Sequence, residues 1–290
     1  MAVPSQSVSQ NLRYPISEPP GLSLPLSPDV RRLTASEIDQ YRTLGYVKNL
    51  PVFGPDAVGQ LQAKFEELAA LLPEGIDINQ VNMWHKANRW VAAFCRNEAI
   101  LDYVEDLIGP NFFQWGGQFF VKYPGDGSVV PWHQDSQYWP LSPNRTVTVW
   151  VAFHDADEGN GAMKVVRGSH LQGGFSHHTN SAEHYVLDQE VDDTQIKTQD
   201  VVSLDLKAGE VSLHDAWLLH SSAANNSDRV RCGFTMRFSP TDVKCDMDVW
   251  PTFEAYQRRG LDTHQHNPAG KVPTEDGFPV RKFQLASDFR

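Results

Sequence analysis

After the first thirty residues, apolar side chains recur every three or four positions, which is the spacing of one helix face. Thr34 and Glu37 form a capping-box pattern and predict a helix that runs through Tyr41. Pro55, directly after a glycine, predicts the start of a second helix. A third helix is expected near Asn97 to Leu107. The second helix should bury one apolar face made of Val58, Leu61, Phe65, Leu68 and Leu72.

Beyond about residue 112 the pattern changes to short alternating runs separated by Gly, Pro, Asn and Asp, which is typical of strands. One such strand follows Gly209, and a polar loop leads to another, from Cys232 to Ser239. This pair is interpreted as a hairpin that carries His220 at its mouth. The whole pattern predicts a mainly β fold with flanking helices, as an antiparallel double-sheet jelly roll, the cupin-like double-stranded β-helix.

The patterns divide the chain into a tail and one domain. Residues 1–30 hold Pro and Ser without any period and predict a tail that is flexible or lies on the surface. A single jelly-roll domain is expected over residues 31–290, with a helical part at 34–108 and a β core at about 112–245. An irregular C-terminal tail follows. At 290 residues and 40% apolar content, the domain can bury a substantial core.

Charge and cysteine content restrict the partners. The net charge of −11 disfavours a nucleic-acid or anionic-membrane surface, because those partners require a basic face. No segment approaches the ~20 apolar residues of a membrane helix, so no membrane insertion is expected. A small molecule is the expected partner. Cys95, Cys232 and Cys245 lack metal-binding spacing and are expected to be buried thiols in a reducing, cytoplasmic protein.

His133 and Asp135 lie two residues apart in a segment that reads as a strand. Alternate strand side chains share a face, about 6 to 7 Å apart, so both could reach one metal ion while Gln134 faces the other way. Two histidines and one carboxylate on one side of a metal are the ligands of non-haem Fe(II) oxygenases. His-x-Asp alone also occurs on ordinary surface strands. The iron hypothesis therefore requires a second histidine.

Eleven histidines are available, and the residues alone leave the choice open. His220 lies at the mouth of the predicted hairpin, whereas His214 lies six residues earlier on an alternating strand. His170 closes a Gly-Ser-His turn and is interpreted as a loop anchor, and His154 as part of a surface turn. A polar insertion at about residues 170–200 holds clustered histidines without paired metal-ligand spacing, expected to be solvent-exposed or lid residues. These are His177, His178 and His184.

The early His-x-Asp, the distal His220 and Arg231 eleven residues beyond it resemble the phytanoyl-CoA dioxygenase family of iron- and 2-oxoglutarate-dependent hydroxylases. The resemblance covers roughly residues 34–245. One departure is Arg167, where the family usually has proline before Gly-Ser-His. Further matching stretches are Lys122-Tyr123-Pro124, Val149-Trp150-Val151-Ala152, and Gly159 to Val166 running into Gly168-Ser169-His170.

The resemblance implies Fe(II) held by His133, Asp135 and His220, with 2-oxoglutarate and O₂ as cosubstrates. It assigns the position of His214 to strand packing. Arg231 matches the arginine that binds the far carboxylate of 2-oxoglutarate, because a guanidinium can grip a carboxylate with two parallel hydrogen bonds. Trp150 could serve equally in core packing. The positions that line the cosubstrate pocket in the family are Gln118, Trp150 and Ser222.

The family also places the run from Asn82 to Trp90 above the iron. This run mixes polar and cationic side chains with aromatic ones, which suits a small polar or anionic substrate and, equally, a hydrogen-bonded lid. Arg237 shares a face with Arg231 if their strand is regular, and would then be a second anion contact. The candidate substrate contacts are Asn82, His85, Lys86, Gln137, Tyr138 and Arg237.

The function implied by the resemblance is hydroxylation of an unactivated C–H bond of a small, polar molecule, with succinate and CO₂ as coproducts. Related halogenases carry Gly or Ala at the carboxylate position, where this chain has Asp135. A halogenase or desaturase is therefore a weaker alternative. The alternative from a different class is a cupin-like protein that binds a ligand or metal without catalysis.

Overall fold

The computed structural model describes residues 22–179 and 185–279. Its α-helices are α1 (Ala35–Leu44), α2 (Pro55–Ala70), α3 (Arg89–Phe94) and α4 (Glu98–Ile108). Its strands are β1 (Tyr46–Pro51), β2 (Phe112–Lys122), β3 (Val130–His133), β4 (Leu141–Ser142), β5 (Val147–Ala152), β6 (Met163–Val166), β7 (His177–Thr179), β8 (Gln189–Val191), β9 (Val201–Ser203), β10 (Glu210–Asp215), β11 (His220–Ser222), β12 (Arg231–Pro240), β13 (Lys244–Cys245) and β14 (Tyr256–Arg259).

The three helices predicted from local signals are confirmed as α1, α2 and α4. At the start of α1 the Thr34 hydroxyl accepts from the Glu37 N–H at 3.2 Å, and the Glu37 carboxylate accepts from the Thr34 N–H at 2.8 Å. Helix α2 buries Leu61, Phe65 and Leu68 on one face. Helix α3 was not predicted. No helix in the described ranges is both long and apolar enough to cross a membrane.

Two antiparallel sheets confirm the predicted jelly roll. The larger has the strand order β1-β10-β5-β12-β2-β14, and the smaller β3-β11-β6-β9. The predicted hairpin is wrong, because β5 lies between β10 and β12. The chain leaves the larger sheet after β10, forms β11 with His220 in the smaller sheet, and returns as β12. Alternating apolar residues reveal a strand, but they do not reveal which strand is its neighbour.

The larger sheet has two chemically different faces. Phe234, Met236 and Phe238 of β12 belong to the main apolar core, which the helices cover. Strand residues alternate between faces, so the intervening residues of β12 point toward the smaller sheet. Their cross-strand partners share that direction, and we call this side the inner face. Its residues include Arg231, Gly233, Thr235 and Arg237 of β12, Gly116, Gln118 and Lys122 of β2, Thr148 and Trp150 of β5, and Ser212 and His214 of β10.

Two segments outside the expected β core also contribute strands to the larger sheet. Strand β1 lies within the predicted helical part and pairs with β10, and β14 lies within the predicted irregular tail and pairs with β2. Trp250 and Phe253, which precede β14, pack with Trp115. The expectation of a wholly irregular C-terminal tail is therefore wrong. Both strands are stabilised by partners far away in sequence, which local patterns do not show.

The ends of the chain are described only in part. Residues 1–21 of the predicted tail lie outside the described residues. Leu22, Leu24 and Val30 pack against the main core, and Leu26 forms a β-bridge with Phe53. Residues 22–30 therefore lie on the domain surface.

All three cysteines are buried and free, as expected from their spacing. Cys95 and Cys232 belong to the main apolar core, and Cys245 packs in a second cluster with Trp115 and Trp139. Burial raises the pKa of each thiol above its ordinary value. They therefore act as small apolar side chains.

Candidate metal centre

The fold brings His133, Asp135 and His220 together between the two sheets. His133 ends β3, His220 begins β11, and the two are direct cross-strand partners with ring centroids 4.0 Å apart. The distance from His133 Nε2 to Asp135 Oδ1 is 3.9 Å. One possible ligand atom from each of the three residues lies within 4.8 Å of the others, and all three residues are buried. The arrangement can therefore hold one metal ion.

The local backbone differs from the expectation that His133 and Asp135 share a strand. Strand β3 ends at His133, and Asp135 begins a short 3-10 helix. Gln134 between them remains extended, with φ −116° and ψ 129°. The alternation of side chains therefore continues for one residue beyond the strand, and this places the carboxylate on the same side as the imidazole.

Gln134 points away from the metal ligands and ties them to the histidine-rich insertion. Its Nε2 donates to the carbonyls of Gly173 at 2.9 Å and Trp217 at 2.6 Å, and its Oε1 accepts from the Phe175 N–H at 2.7 Å. The Gln134 N–H also donates to His177 Nε2 at 3.2 Å. The backbone between the two ligands is thus fixed by several hydrogen bonds.

Both histidines of the cluster have Nε2 available to coordinate a metal ion. His133 Nδ1 lies 2.9 Å from the Pro131 carbonyl, and His220 Nδ1 lies 3.0 Å from the Leu218 carbonyl. A carbonyl only accepts, so each Nδ1 carries the hydrogen and each Nε2 keeps its lone pair. Burial lowers the pKa of both imidazoles, which keeps them in the neutral, metal-binding form. This donor set fits Fe(II).

Asp135 is held in its ionised form by neighbouring cationic and donor groups. Burial by itself would raise the pKa of Asp135, but the neighbouring His214 and the positive charge of Arg237 lower it below its ordinary value. His214 Nε2 lies 3.8 Å from Asp135 Oδ2, the oxygen that faces away from His133. His214, the alternative candidate for the second histidine ligand, therefore contacts the Asp135 carboxylate. The cluster of three possible metal ligands contains His220 and not His214.

Arg231 lies farther along the inner face, with its guanidinium 5.1 Å from the Trp150 ring centroid. It is 4% exposed, and its Nε lacks a hydrogen-bond acceptor among the described residues. The Ser222 hydroxyl is also buried without a partner there. Burial lowers the pKa of Arg231 to about 10, so the side chain remains a cation at neutral pH. These groups can receive a carboxylate.

Gly233 allows Trp150 to lie beside Arg231. A Cβ added to Gly233 would lie 2.0 Å from the Trp150 ring. That separation is far shorter than van der Waals contact, so any side chain at this position would displace the indole. The ring and Arg231 could then no longer stack.

A second basic side chain lies beside Arg231, and the sequence does not predict it. Lys122 of β2 is the direct cross-strand partner of Arg231. Its ammonium donates to the carbonyls of Ser128 at 2.7 Å, Ser222 at 3.2 Å and Ala223 at 2.6 Å. Burial and the charge of Arg231 lower the pKa of Lys122 to about 7. The motif Lys122-Tyr123-Pro124 was recognised as a family stretch, but only the strand register shows its position.

Four other predicted site residues lie on the inner face or beside the metal ligands. The Tyr138 ring is 6.1 Å from the His133 ring, and its buried hydroxyl lacks a partner among the described residues. Asn82 forms a β-bridge with Gln118. Arg237 lies on the same face as Arg231, because the register of β12 is regular between them.

Three predicted substrate residues are not brought to the metal ligands. A Cβ on Gly117 would meet His85 Nδ1 at 2.9 Å and Phe234 at 3.1 Å, so His85 packs on the apolar face of the larger sheet. The expectation that His85 faces the iron is therefore wrong. Lys86 forms an ion pair with a glutamate at 2.8 Å. The Gln137 side chain is exposed.

The remaining histidines have local roles. His170 Nε2 lies 3.1 Å from the Arg42 carbonyl, which agrees with its interpretation as a loop anchor. His177 accepts from the Gln134 N–H, and His178 pairs with a glutamate of β8 at 3.2 Å. His184 lies outside the described residues. Among the described residues, only the cluster of His133, Asp135 and His220 groups three possible metal ligands.

Known proteins are similar to this chain in sequence and in fold. The model of the phytanoyl-CoA dioxygenase (PhyH) family matches residues 41–233. A phytanoyl-CoA dioxygenase domain-containing protein 1 homolog of Dictyostelium discoideum is 28% identical over 195 residues, which are 65% of this chain and 69% of that protein. A probable alpha-ketoglutarate-dependent hypophosphite dioxygenase of Stutzerimonas stutzeri is 28% identical over 164 residues, which are 56% of this chain and 54% of that protein.

The fold also matches solved structures of non-haem oxygenases. The apo structure of the non-haem monooxygenase ThoJ aligns with a TM-score of 0.71 and 26% identity, covering 82% of this chain and 89% of that one. The residues that the family model matches include His133, Asp135 and His220 of the cluster, and Arg231. The chain belongs to the phytanoyl-CoA dioxygenase family of oxygenases that use iron and 2-oxoglutarate.

Proposed function

We propose that the protein hydroxylates an unactivated C–H bond of a small, polar molecule and releases succinate and CO₂ as coproducts. The observation that carries this proposal is the buried cluster of His133, Asp135 and His220, with both Nε2 atoms available as ligands. Arg231 lies on the inner face of the larger sheet, and its buried Nε has no acceptor among the described residues. The candidate metal site and the candidate carboxylate site thus both lie between the two sheets.

Each of these groups has a defined role in the proposal. His133, Asp135 and His220 would hold Fe(II), and Arg231 would bind the far carboxylate of 2-oxoglutarate beside Trp150 and Ser222. Bound Fe(II) would activate O₂, which is the oxidant, and 2-oxoglutarate would supply two of the electrons as it is converted to succinate and CO₂. The chain itself orients the reactants and keeps bulk water away, because the ligand residues are buried between two sheets.

Asp135 favours hydroxylation over halogenation. Halogenases related to this family carry Gly or Ala at the carboxylate position, which makes room for a halide ion on the metal. Here the carboxylate is present, and His214 and Arg237 keep it ionised and suited to metal binding. A desaturase would use the same ligands, so product analysis must distinguish it from a hydroxylase.

The test is whether the purified protein converts 2-oxoglutarate to succinate with Fe(II) and ascorbate, even slowly and without a primary substrate. We expect succinate to form and a chelator to abolish its formation. Arg231→Gln should retain iron but form little succinate at the same 2-oxoglutarate concentration. Stoichiometric iron binding without succinate at any 2-oxoglutarate concentration would instead support a non-catalytic metal-binding protein.

A further inference from the structure

A second arginine is buried on the inner face, and two of its nitrogens lack an acceptor among the described residues. Arg237 is 4% exposed, and its Nε and Nη1 atoms have no hydrogen-bond partner among the described residues. Burial lowers the pKa of Arg237 and the charge of Asp135 raises it. The close contacts of Asp135, however, are with His133 and His214. A buried charge without a close partner is costly. A bound anion would satisfy it.

The Arg237 side chain is held in place by its surroundings. Its guanidinium lies 5.2 Å from the Trp139 ring centroid and 5.9 Å from that of Trp115. The two indoles are themselves in contact, with centroids 4.7 Å apart. On the neighbouring strand, Gly116 leaves room for the arginine, since an added Cβ would lie 2.9 Å from Arg237 Cδ. A cation fixed in this way loses little freedom when it binds an anion.

Arg237 lies in the row of the inner face that includes His214, the residue in contact with Asp135, and not in the row of Arg231. Thr148 is the direct cross-strand partner of both Arg237 and His214, so the three form one row across the inner face. Arg231 lies six residues away along β12, on the order of 20 Å. The inner face therefore has two separated anion positions.

Two buried hydroxyl groups on the same side of the protein as Arg237 also lack hydrogen-bond partners among the described residues. The Thr148 hydroxyl is buried without a partner in the described part of the chain, and so is the hydroxyl of Tyr138, whose ring packs near His133. One guanidinium and two hydroxyl donors match the single charge and two oxygens of a carboxylate better than a dianionic phosphate. Trp115 and Trp139 provide apolar surface for an adjoining hydrocarbon or aromatic group.

This inference rests on the proposed function: we propose that the primary substrate is a monocarboxylate whose carboxylate pairs with Arg237, with the hydroxyls of Thr148 and Tyr138 as further donors. Arg237 shares a row of the inner face with His214, which lies 3.8 Å from Asp135, so the C–H bond that reacts lies close to the substrate carboxylate. The substrate class is thus a small organic acid with an apolar body.

The test measures binding to the protein loaded with Ni(II) and 2-oxoglutarate, which does not turn over. The probes are carboxylates paired with their uncharged amides: phenylacetate with phenylacetamide, indole-3-acetate with indole-3-acetamide, and hexanoate with hexanamide. At least one carboxylate should bind at least tenfold more tightly than its amide. If every carboxylate binds no better than its amide, the proposal fails. Tighter binding of phenyl phosphate than of any carboxylate would also overturn it.

Variants locate the contact. Arg237→Gln should weaken binding of the best carboxylate about 10- to 150-fold, which corresponds to the loss of a charge-assisted contact, and Thr148→Val should weaken it several-fold. Arg167→Gln, at an exposed arginine, is the matched control and should have no effect. Unchanged carboxylate affinity in both inner-face variants would remove Arg237 from the site.

Titration with 2-oxoglutarate separates the substrate from the cosubstrate. In Ni(II)-loaded Arg237→Gln we expect 2-oxoglutarate affinity to change far less than carboxylate affinity. An equal loss of both would assign Arg237 to the cosubstrate and overturn the proposal. Failure of the proposed function is distinguishable, because it appears as absent succinate formation by the Fe(II) enzyme whether or not a carboxylate binds.

Discussion

Each histidine of the candidate metal centre is oriented by a carbonyl two residues before it in the chain. Pro131 accepts from His133, and Leu218 accepts from His220. His214 contacts the carboxylate ligand from the other side. These contacts fix the tautomers and the carboxylate before a metal arrives, so metal binding should require little rearrangement of side chains.

The first prediction concerns the ligands. His133→Ala, Asp135→Ala and His220→Ala should each abolish iron-dependent succinate formation while changing the melting temperature of the metal-free protein little, because the main core does not include them. His214→Ala should retain iron binding with reduced affinity, since it loses a contact to the carboxylate and no ligand. The measurements are iron content, succinate formation and thermal unfolding. Activity that survives in His220→Ala and is lost in His214→Ala would reverse the ligand assignment.

The second prediction concerns Arg231. Arg231→Lys should raise the 2-oxoglutarate concentration needed for half-maximal succinate formation about 10- to 150-fold, because a lysine cannot form two parallel hydrogen bonds and one charge-assisted contact is worth roughly 1.5 to 3 kcal/mol. Arg229→Lys, two residues earlier and exposed, is the matched control. An unchanged 2-oxoglutarate requirement in Arg231→Lys would exclude this arginine from the cosubstrate site.

Residue type and spacing predicted His133 and Asp135 as a candidate pair, and the family resemblance added His220; the structure groups these three residues, but the rest of the candidate site was not predicted. His-x-Asp is a local pattern, so His133 and Asp135 can be recognised in the sequence. The position of Lys122 beside Arg231 depends on the pairing of β2 with β12, which are more than a hundred residues apart. The incorrect prediction for His85 has the same origin, because the sequence does not show on which face of the larger sheet His85 packs.

At the scale of elements, helices and strands differed in how well they could be predicted. The starts of α1 and α2 are encoded by a capping box and by a proline within a few residues. Strand pairing depends on distant partners, and the hairpin prediction failed because β5 lies between β10 and β12. Short strands such as β14 are stable only because a sheet edge is available to them.

The third prediction contrasts two glycines. Gly233→Ala should destabilise the protein by about 1 to 3 kcal/mol through overpacking against Trp150, and it should weaken 2-oxoglutarate binding because the indole supports Arg231. Gly59→Ala, at an exposed position of α2 with nothing near the added Cβ, should stabilise it by about 0.8 to 1 kcal/mol and leave 2-oxoglutarate binding unchanged. Urea unfolding and 2-oxoglutarate titration test both. Equal effects of the two substitutions would contradict the close approach of Trp150 to β12.

At the scale of the whole molecule, several imidazoles are enclosed in the neutral form. Burial lowers the pKa of His85, His133 and His220 below the ordinary value of 6.5. As the pH falls below about 6.5, the unfolded chain therefore takes up protons before the folded protein does. The free energy of unfolding must then decrease as the solution becomes more acidic.

The fourth prediction follows from this difference in proton uptake. The urea midpoint of the metal-free protein should be lower at about pH 5.5 than at about pH 7.5, because protons bind preferentially to the unfolded state over that range. His85→Phe should reduce the dependence, whereas His264→Asn, at an exposed position, should not. Bound metal should reduce this decrease in the urea midpoint, because it holds the ligand histidines unprotonated. Equal midpoints at the two pH values would contradict the burial of neutral imidazoles.

The two-faced larger sheet also bears on how the family can diversify. Along β12, each residue that packs against the helices is followed by one that faces the metal centre. A library of all single substitutions in this strand, scored separately for protein abundance and for turnover, should show two interleaved patterns with a period of two. Abundance should be sensitive at Phe234, Met236 and Phe238, and turnover at Arg231 and Arg237. Gly233 should affect both, because a side chain there overpacks against Trp150. New substrates could then be acquired by changing every second residue, while the intervening residues preserve the fold.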